Sequence, residues 1–415
     1  LAEQMGFPGG RATASLVMPW ASYYTHSASR NPYPHLTLFP VDHGKGKPVL
    51  AGVLERVVDR MAAAGGACKP TLDNGYTIPF DPEVFKLVSQ EMLDDAGVDY
   101  FYRVFASGMA GSRIEDGVVF ESKSGPLVIK GRVVVDCTGD GDVAAAAGAP
   151  YTLGCGEGVT QPMTLIFMMA GFKRRHFESY VREHPSEWSG VQGLRALIRE
   201  AIRRGEPELP REDILFFGTM HEGVVSVNST RVQNVCGIDA WDLSSAEAEA
   251  HRQMYRVAGF LIKHVPGFEQ AWLAQSGCII GVRETRHILG DYVLTDEDVM
   301  FARKFDDAIA RSTYPIDIHD PRGKGTIVRD IPFNESYDIP LRCLRPRGQE
   351  RIVTAGSCIS GTHVAHASYR VMPVSMATGQ AAGVCAALAA ERQVSAHEIP
   401  AREVQQELRL QGALV

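Results

Sequence analysis

Three side chains that can handle protons and anions fall within eight residues in SGTHVAHASYR: His363, His366 and Arg370. An imidazole titrates near neutrality and can carry the proton that accompanies a redox step at carbon. A guanidinium can hold a carboxylate or enolate oxygen through two parallel bonds. A second stretch, GVRETRHILG, holds Arg283, Glu284, Arg286 and His287. As regular strand it would set Arg283 opposite Glu284 and Arg286, so they cannot all face one pocket. Arg283 joins the first three as a candidate catalytic residue. Tyr23, Tyr24 and His26 are weaker candidates, as a cap over the same pocket. The cysteines at 68, 137, 155, 236, 278, 343, 358 and 385 form no CxxC and no Cys–His ligand pattern. Neither dithiol exchange nor a disulfide framework is expected, and no metal site.

Two glycine turns could bring a ligand to such residues. VVVDCTGDGD places Thr138, Gly139 and Asp140 just past a buried strand, and IVTAGSCISGTH places Gly356 and Ser357 likewise. Ligands in open α/β sheets sit at the carboxyl ends of strands. Glycine there lets the backbone approach a flat or phosphorylated ligand, and the following helix starts, near Asp142 and near Met372–Pro373, offer free N–H groups.

The elements that must position these turns follow the rhythm of an α/β chain. FDPEVFKLVSQEMLDDAGVDYFYRV offers an Asp81 cap, Pro82 at the first helical position, an amphipathic helix, Gly97 and then a strand. Short β segments at about 103–135 make a meander. From about 151 to 340 charged helices and mixed strands suggest a second, α+β unit, after which the α/β pattern returns over 341–415. One nucleotide-binding domain, 1–150 plus 341–415, with an inserted substrate domain is therefore expected. The polar, aromatic stretch at 19–48 reads as a loop or lid. A net charge of −7 disfavours nucleic acid. No apolar run approaches the roughly 20 residues of a membrane span, and ATGQAAGVCAALAA reads as a buried helix. The scattered cysteines suit a reducing, cytoplasmic compartment. A small-molecule substrate is expected, and the oligomeric state stays open.

The phrases FDPEVFKLVSQEMLDDAGV, VVVDCTGDGDVAAAAGAPY, GVRETRHILGDYVLT and RIVTAGSCISGTHVAHASYRVMPVSMATGQAAGVCAALA together resemble the FAD-dependent oxidoreductase family. That family lies in the glutathione-reductase-like flavoprotein group, beside the fumarate reductase and ketosteroid dehydrogenase branches. The resemblance implies an α/β fold with a Rossmann-like FAD-binding domain and FAD as cofactor. It further implies hydride transfer between a small alcohol, acid or enone and flavin N5. Position by position, it assigns Glu3 to the adenosine ribose, and Gly9, Gly10, Ala12 and Thr13 to the pyrophosphate and flavin edge. Val98 would meet adenine through its backbone, and Thr138, Gly139, Asp140, Gly356 and Ser357 would line the flavin. The helix beginning at Met372 and Pro373 would aim its N–H groups at the flavin pyrimidine oxygen. The family's GxGxxG fingerprint is absent from these residues, so an N-terminally truncated FAD-binding domain is expected. A flavin-free scaffold relative, or a flavoenzyme of non-net-redox chemistry, remains the alternative.

Overall fold

The computed structural model describes residues 1–26, 38–40, 46–156, 158–323 and 325–415. Most of the lid expected over 19–48 lies outside the described residues. Where that segment is described, Tyr24 bridges Pro48 and Thr313 Oγ1 donates to Tyr24 O at 3.0 Å.

Helix and sheet are mixed throughout. The helix Pro82–Asp95 starts as its sequence dictates: the Asp81 carboxylate accepts the Glu83 N–H at 2.8 Å and Pro82 takes the first turn. Its Phe85 and Val88 pack with Leu54, Val57 and Met61 of the helix Val53–Ala63 under Trp20 and Phe80. The meander is present as the antiparallel strands Phe105–Met109, Val118–Ser122 and Gly125–Ile129. Parallel pairing occurs in two short ladders. One joins Ala2–Glu3 to Phe101–Tyr102, and the other joins Val134–Asp136 to Ile352–Thr354. Among the described residues no ladder links the two pairs, so the parallel strands expected of a Rossmann-like domain are present as two separate two-stranded pieces.

Residues 167–276 build a six-stranded antiparallel sheet in the order Trp272–Ser276, Phe167–Ala170, Val224–Val227, Ile214–Gly218, Gln192–Gly193, Trp188–Ser189. Against it pack the helices Ala240–His264, Arg174–Glu183 and Arg195–Arg203. Phe216 is fully buried at its centre, its ring 4.6–5.7 Å from those of Trp188, Phe177, Phe268 and Phe172. Burial of such rings is the main stabilising term here, and truncating one to alanine typically costs about 3–5 kcal/mol.

A second core runs continuously from Leu294 through Ile309, Ile316, Tyr337 and Ile339 to Val353, Val374, Ala381 and Leu408. The boundary expected near 340 therefore cuts through one packed core. The helix at its centre, Met372–Arg392, is 21 residues long, longer than the 14-residue run that the sequence marked. By length and composition alone it is long and apolar enough to cross a membrane, yet half of its apolar window is buried in the protein. Ala381, Ala382, Cys385 and Ala389 let neighbouring backbone come close.

Candidate functional site

The strand Val134–Asp136 ends in a buried carboxylate that shapes everything after it. Asp136 Oδ1 accepts Thr138 N at 3.0 Å and Thr138 Oγ1 at 2.7 Å, and Oδ2 accepts Ala144 N at 2.8 Å. One side chain thus ties the glycine turn to the helix Asp142–Ala146, while Thr138 Oγ1 accepts the Asp142 N–H at 3.0 Å. Gly139 sits at φ +84° and Gly141 at φ +67°, and a Cβ on Gly141 would come 2.6 Å from Ile288. The second turn closes on the first: Ser357 Oγ donates to Gly139 O at 3.0 Å. Gly356, at φ +81°, donates its N–H to Thr378 Oγ1 within the helix Met372–Arg392. That helix begins at Val371 with no side-chain cap, and Pro373 lies in its first turn. These bonds bring Thr138, Gly139, Asp140, Gly356 and Ser357 together and tie Gly356 to the helix that Met372 and Pro373 begin. Cys137 beside them is solvent-exposed, yet desolvation pushes its thiol up to about 12. Cys137 and Thr138 are exposed and Gly139 and Asp140 partly so, so the turn faces an opening, hereafter the cleft.

Asp140 turns partly inward. Its Oδ1 accepts Thr285 Oγ1 at 2.6 Å and its carbonyl accepts Arg286 Nη1 at 3.0 Å. Burial raises its pKa, against the pull of Arg11. Arg11 is a resident of the cleft that the sequence did not single out: a Cβ on Gly139 would lie 3.6 Å from its Nη2.

Behind the second turn three histidines converge on one carboxylate oxygen. Glu284 Oε1 is 2.6 Å from His363 Nδ1, 2.9 Å from His287 Nε2 and 3.8 Å from His366 Nδ1, while Oε2 accepts Gln161 N at 3.0 Å. Burial alone would raise the Glu284 pKa. The bonds from His287 and His363, with the nearby imidazole charges, outweigh it and hold the group well below the carboxylate range. His363 keeps part of its side chain accessible, 14%, whereas His366 is 1% accessible. Burial and the neighbouring His287 drive the His366 pKa far down, and its ring packs edge-on against His287 and Tyr369. Of the two, His363 is thus the accessible imidazole and His366 is packed inside. Donor atoms of Glu284, His287 and His366 also lie within 4.8 Å of one another, a spacing that could hold a metal ion and that the cysteine pattern did not suggest.

GVRETRHILG is not one regular strand. Only Arg286–Ile288 forms a ladder, with Tyr151–Leu153, while Gly281 and Gly290 make single bridges to Thr164 and Pro346; Arg283 to Thr285 are irregular, and the charges go to different partners. Arg286 Nη1 reaches Asp142 Oδ1 at 2.7 Å and Glu284 collects the histidines. Arg283 Nη1 donates to Pro162 O at 2.5 Å and Thr164 Oγ1 at 2.7 Å. Arg370 faces Asp317, as do Tyr314 and His319. This second group adjoins the first through Gln161, whose Oε1 accepts His319 N at 3.2 Å. Tyr23, Tyr24 and His26 stand on a separate connection: Thr25 N donates to Lys47 O and Val49 N to Tyr23 O.

With this geometry in view, the comparisons with known proteins are direct. The family model of FAD dependent oxidoreductases matches residues 1–408. The chain belongs to this family. No curated protein sequence matches it. Solved structures similar to the FAD-dependent oxidoreductase chain include p-nitrophenol 4-monooxygenase from Pseudomonas putida, with 10% identity and a TM-score of 0.31, covering 53% of this chain and 46% of that one. L-proline dehydrogenase from P. horikoshii is 10% identical with a TM-score of 0.30, covering 82% of this chain and 63% of that one. CabE, an aromatic hydroxylase from angucycline biosynthesis, is 11% identical with a TM-score of 0.34, covering 90% and 66%. The chain spans about half of the first of these proteins and less than two thirds of the second. Likeness at this level carries no argument about mechanism.

FAD, the family's cofactor, fits the residues of the oxidoreductase that line the cleft. The turns at Gly139 and Gly356 leave open faces, since a Cβ there would meet nothing closer than 3.6 Å. The long helix presents an uncapped start, suited to a group that becomes anionic on reduction. Glu3 ends a parallel strand, one of its oxygens accepting Met5 N at 2.9 Å. Gly9 and Gly10 adopt positive φ before the short helix Arg11–Ala14, with Ala12 and Thr13 buried. Thr13 Oγ1 is spent on Pro8 O at 2.9 Å. Val98 differs from expectation: its strand begins only at Phe101, and its N–H closes the preceding helix on Leu93 O. Only its carbonyl remains for a ligand.

Proposed function

We propose that this FAD-dependent oxidoreductase transfers a hydride between a small organic substrate and flavin N5, with His363 as the proton-handling group. FAD would lie along a Rossmann-like domain formed by residues 1–150 and the C-terminal part, under a cap drawn mainly from 151–293. The continuous core from Leu294 to Leu408 supports counting 294–340 with the C-terminal part. When bound, FAD supplies the two-electron acceptor or donor.

The observation that carries this reading is the 2.6 Å contact between His363 Nδ1 and Glu284 Oε1, seven residues beyond the Gly356 turn. A carboxylate only accepts, so the proton of His363 resides on Nδ1 and its Nε2 carries the lone pair. Nε2 can then take a substrate O–H or N–H proton while Glu284 steadies the imidazolium. His287 donates Nε2–H to the same oxygen and fixes its position. The thiol of Cys358 is fully buried and pushed far up by desolvation, so it supplies no thiolate.

The test is anaerobic mixing of the FAD-loaded chain with a panel of alcohols, acids and amines, following flavin absorbance near 450 nm. His363→Gln should keep the spectrum and slow bleaching by about 10² to 10⁴, whereas His366→Gln should act on stability. Wild-type bleaching rates in His363→Gln would refute the assignment.

A further inference from the structure

Beside the Glu284 cluster one buried guanidinium lacks an acidic partner. Arg283 is buried near Arg370, and a guanidinium keeps its charge at neutrality. Among the described residues no carboxylate lies within ion-pair distance of it, and its one engaged nitrogen donates to neutral oxygens. Arg370 reaches Asp317 O at 3.3 Å and Oδ2 at 3.4 Å, longer than a charge-assisted bond of 2.7–2.9 Å should be. Its Nε is buried with no partner among the described residues.

Asp317 is the carboxylate that faces both arginines, and it is already shared. Its Oδ2 lies 3.2 Å from Tyr314 Oη and 3.5 Å from His319 Nε2. His319 is held at about 4 by burial and by Arg283, so at neutral pH it adds no charge. Arg283 and Arg370 thus share Asp317, and among the described residues Arg283 has no ion-pair partner of its own. A further donor points the same way: Gln161 is 1% exposed, its Oε1 takes His319 N, and among the described residues its Nε2 has no partner. An unmet buried donor costs about 1–3 kcal/mol and an uncompensated buried charge costs more. Side chains this deep are held so where a ligand completes them. Arg370 and Asp317 keep 14% and 16% of their side-chain surface accessible, as the lining of a cleft does.

We propose that the substrate is a small organic acid whose carboxylate is gripped between Arg283 and Arg370, with Gln161 Nε2 as a further donor. This names the substrate class of the redox reaction proposed above and rests on that reading. A carboxylate supplies the anionic partner that Arg283 lacks. An alcohol or enone without an acid group would leave Arg283 without one. The planar guanidinium fork matches the two oxygens of a carboxylate. The neighbouring Glu284–His363 pair then stands where the rest of a short acid would extend.

Calorimetric titration of the FAD-loaded chain at pH 7 with acetate, succinate, succinamide and inorganic phosphate tests this, with flavin absorbance per chain recorded on every sample. At least one acid should bind with a Kd of about 10 mM or tighter, the diamide should not, and phosphate should bind more weakly than the acid. Arg283→Gln and Arg370→Gln should each weaken the acid roughly ten- to a hundredfold. Arg283→Lys should keep the fold and recover only part of the loss. Absence of acid binding to the wild type, equal binding of the diamide, tighter binding of phosphate, or wild-type affinity in Arg283→Gln would each overturn the proposal. Arginine-dependent acid binding in a chain that takes up no FAD would keep the clamp and refute the redox reading.

Discussion

Replacing Glu284 by glutamine keeps the shape of the side chain and removes its charge. Its two oxygens accept bonds from Gln161 N at 3.0 Å, His287 Nε2 at 2.9 Å and His363 Nδ1 at 2.6 Å, and the residue is fully buried. Glutamine has one acceptor oxygen. With that oxygen toward the imidazoles, its NH2 meets the Gln161 N–H donor to donor. An unmet buried donor costs about 1–3 kcal/mol, and turning two charge-assisted bonds into neutral ones costs roughly 1 kcal/mol each. A loss on the order of 4 kcal/mol follows, which for a chain of 415 residues is a fall in Tm of about 4–5 °C. The acid limb of stability should change too. Because the folded Glu284 pKa is held below 4.5, its stabilisation is complete above that pH and is lost as pH falls toward the folded value. Glu284→Gln should lack that loss. Scanning calorimetry of both proteins between pH 3 and 8 reads both effects, and flavin bleaching reads the chemistry. A Tm within 1 °C of wild type, with bleaching unchanged, would refute the reasoning that Glu284 organises the site.

Two further outcomes follow from named groups. His319 has a folded pKa of about 4 against 6.5 unfolded, so the unfolded chain binds more protons between those values. Stability is then full above pH 6.5 and falls by on the order of 3 kcal/mol toward pH 4; His319→Gln should flatten that slope in urea titrations. Asp136→Asn should turn an NH2 against either Thr138 or Ala144. It should cost about 2–4 kcal/mol and weaken FAD in fluorescence titrations, and unchanged FAD affinity would separate the turn from the cofactor.

Local signals were legible in the sequence. Asp81–Pro82 started its helix, the meander formed, and the turns at Gly139 and Gly356 met, because strand ends, caps and glycine freedom are written in a few adjacent residues. The site's electrostatics were not. Glu284 and His363 lie 79 residues apart in the chain, and reading GVRETRHILG as regular strand spread its charges by alternation when only Arg286–Ile288 is strand. His363 and His366 share a face of one short helix, so spacing brought both to Glu284. Which of them stays accessible depends on packing against His287 and Tyr369. Arg11 and Asp317 carried no local motif at all, and only the folded chain sets them beside Gly139 and Arg370.

The central claim is that FAD lies in the cleft with His363 and the arginine pair facing its ring. A crystal structure of the chain soaked with FAD tests it most directly. The isoalloxazine is expected against the Gly139 and Gly356 turns, its pyrimidine edge toward the start of the Met372–Arg392 helix, with His363 Nε2 and Arg370 opening onto one space beside N5. A ring bound elsewhere, or one shielded from His363 and Arg370 by intervening protein, would contradict it.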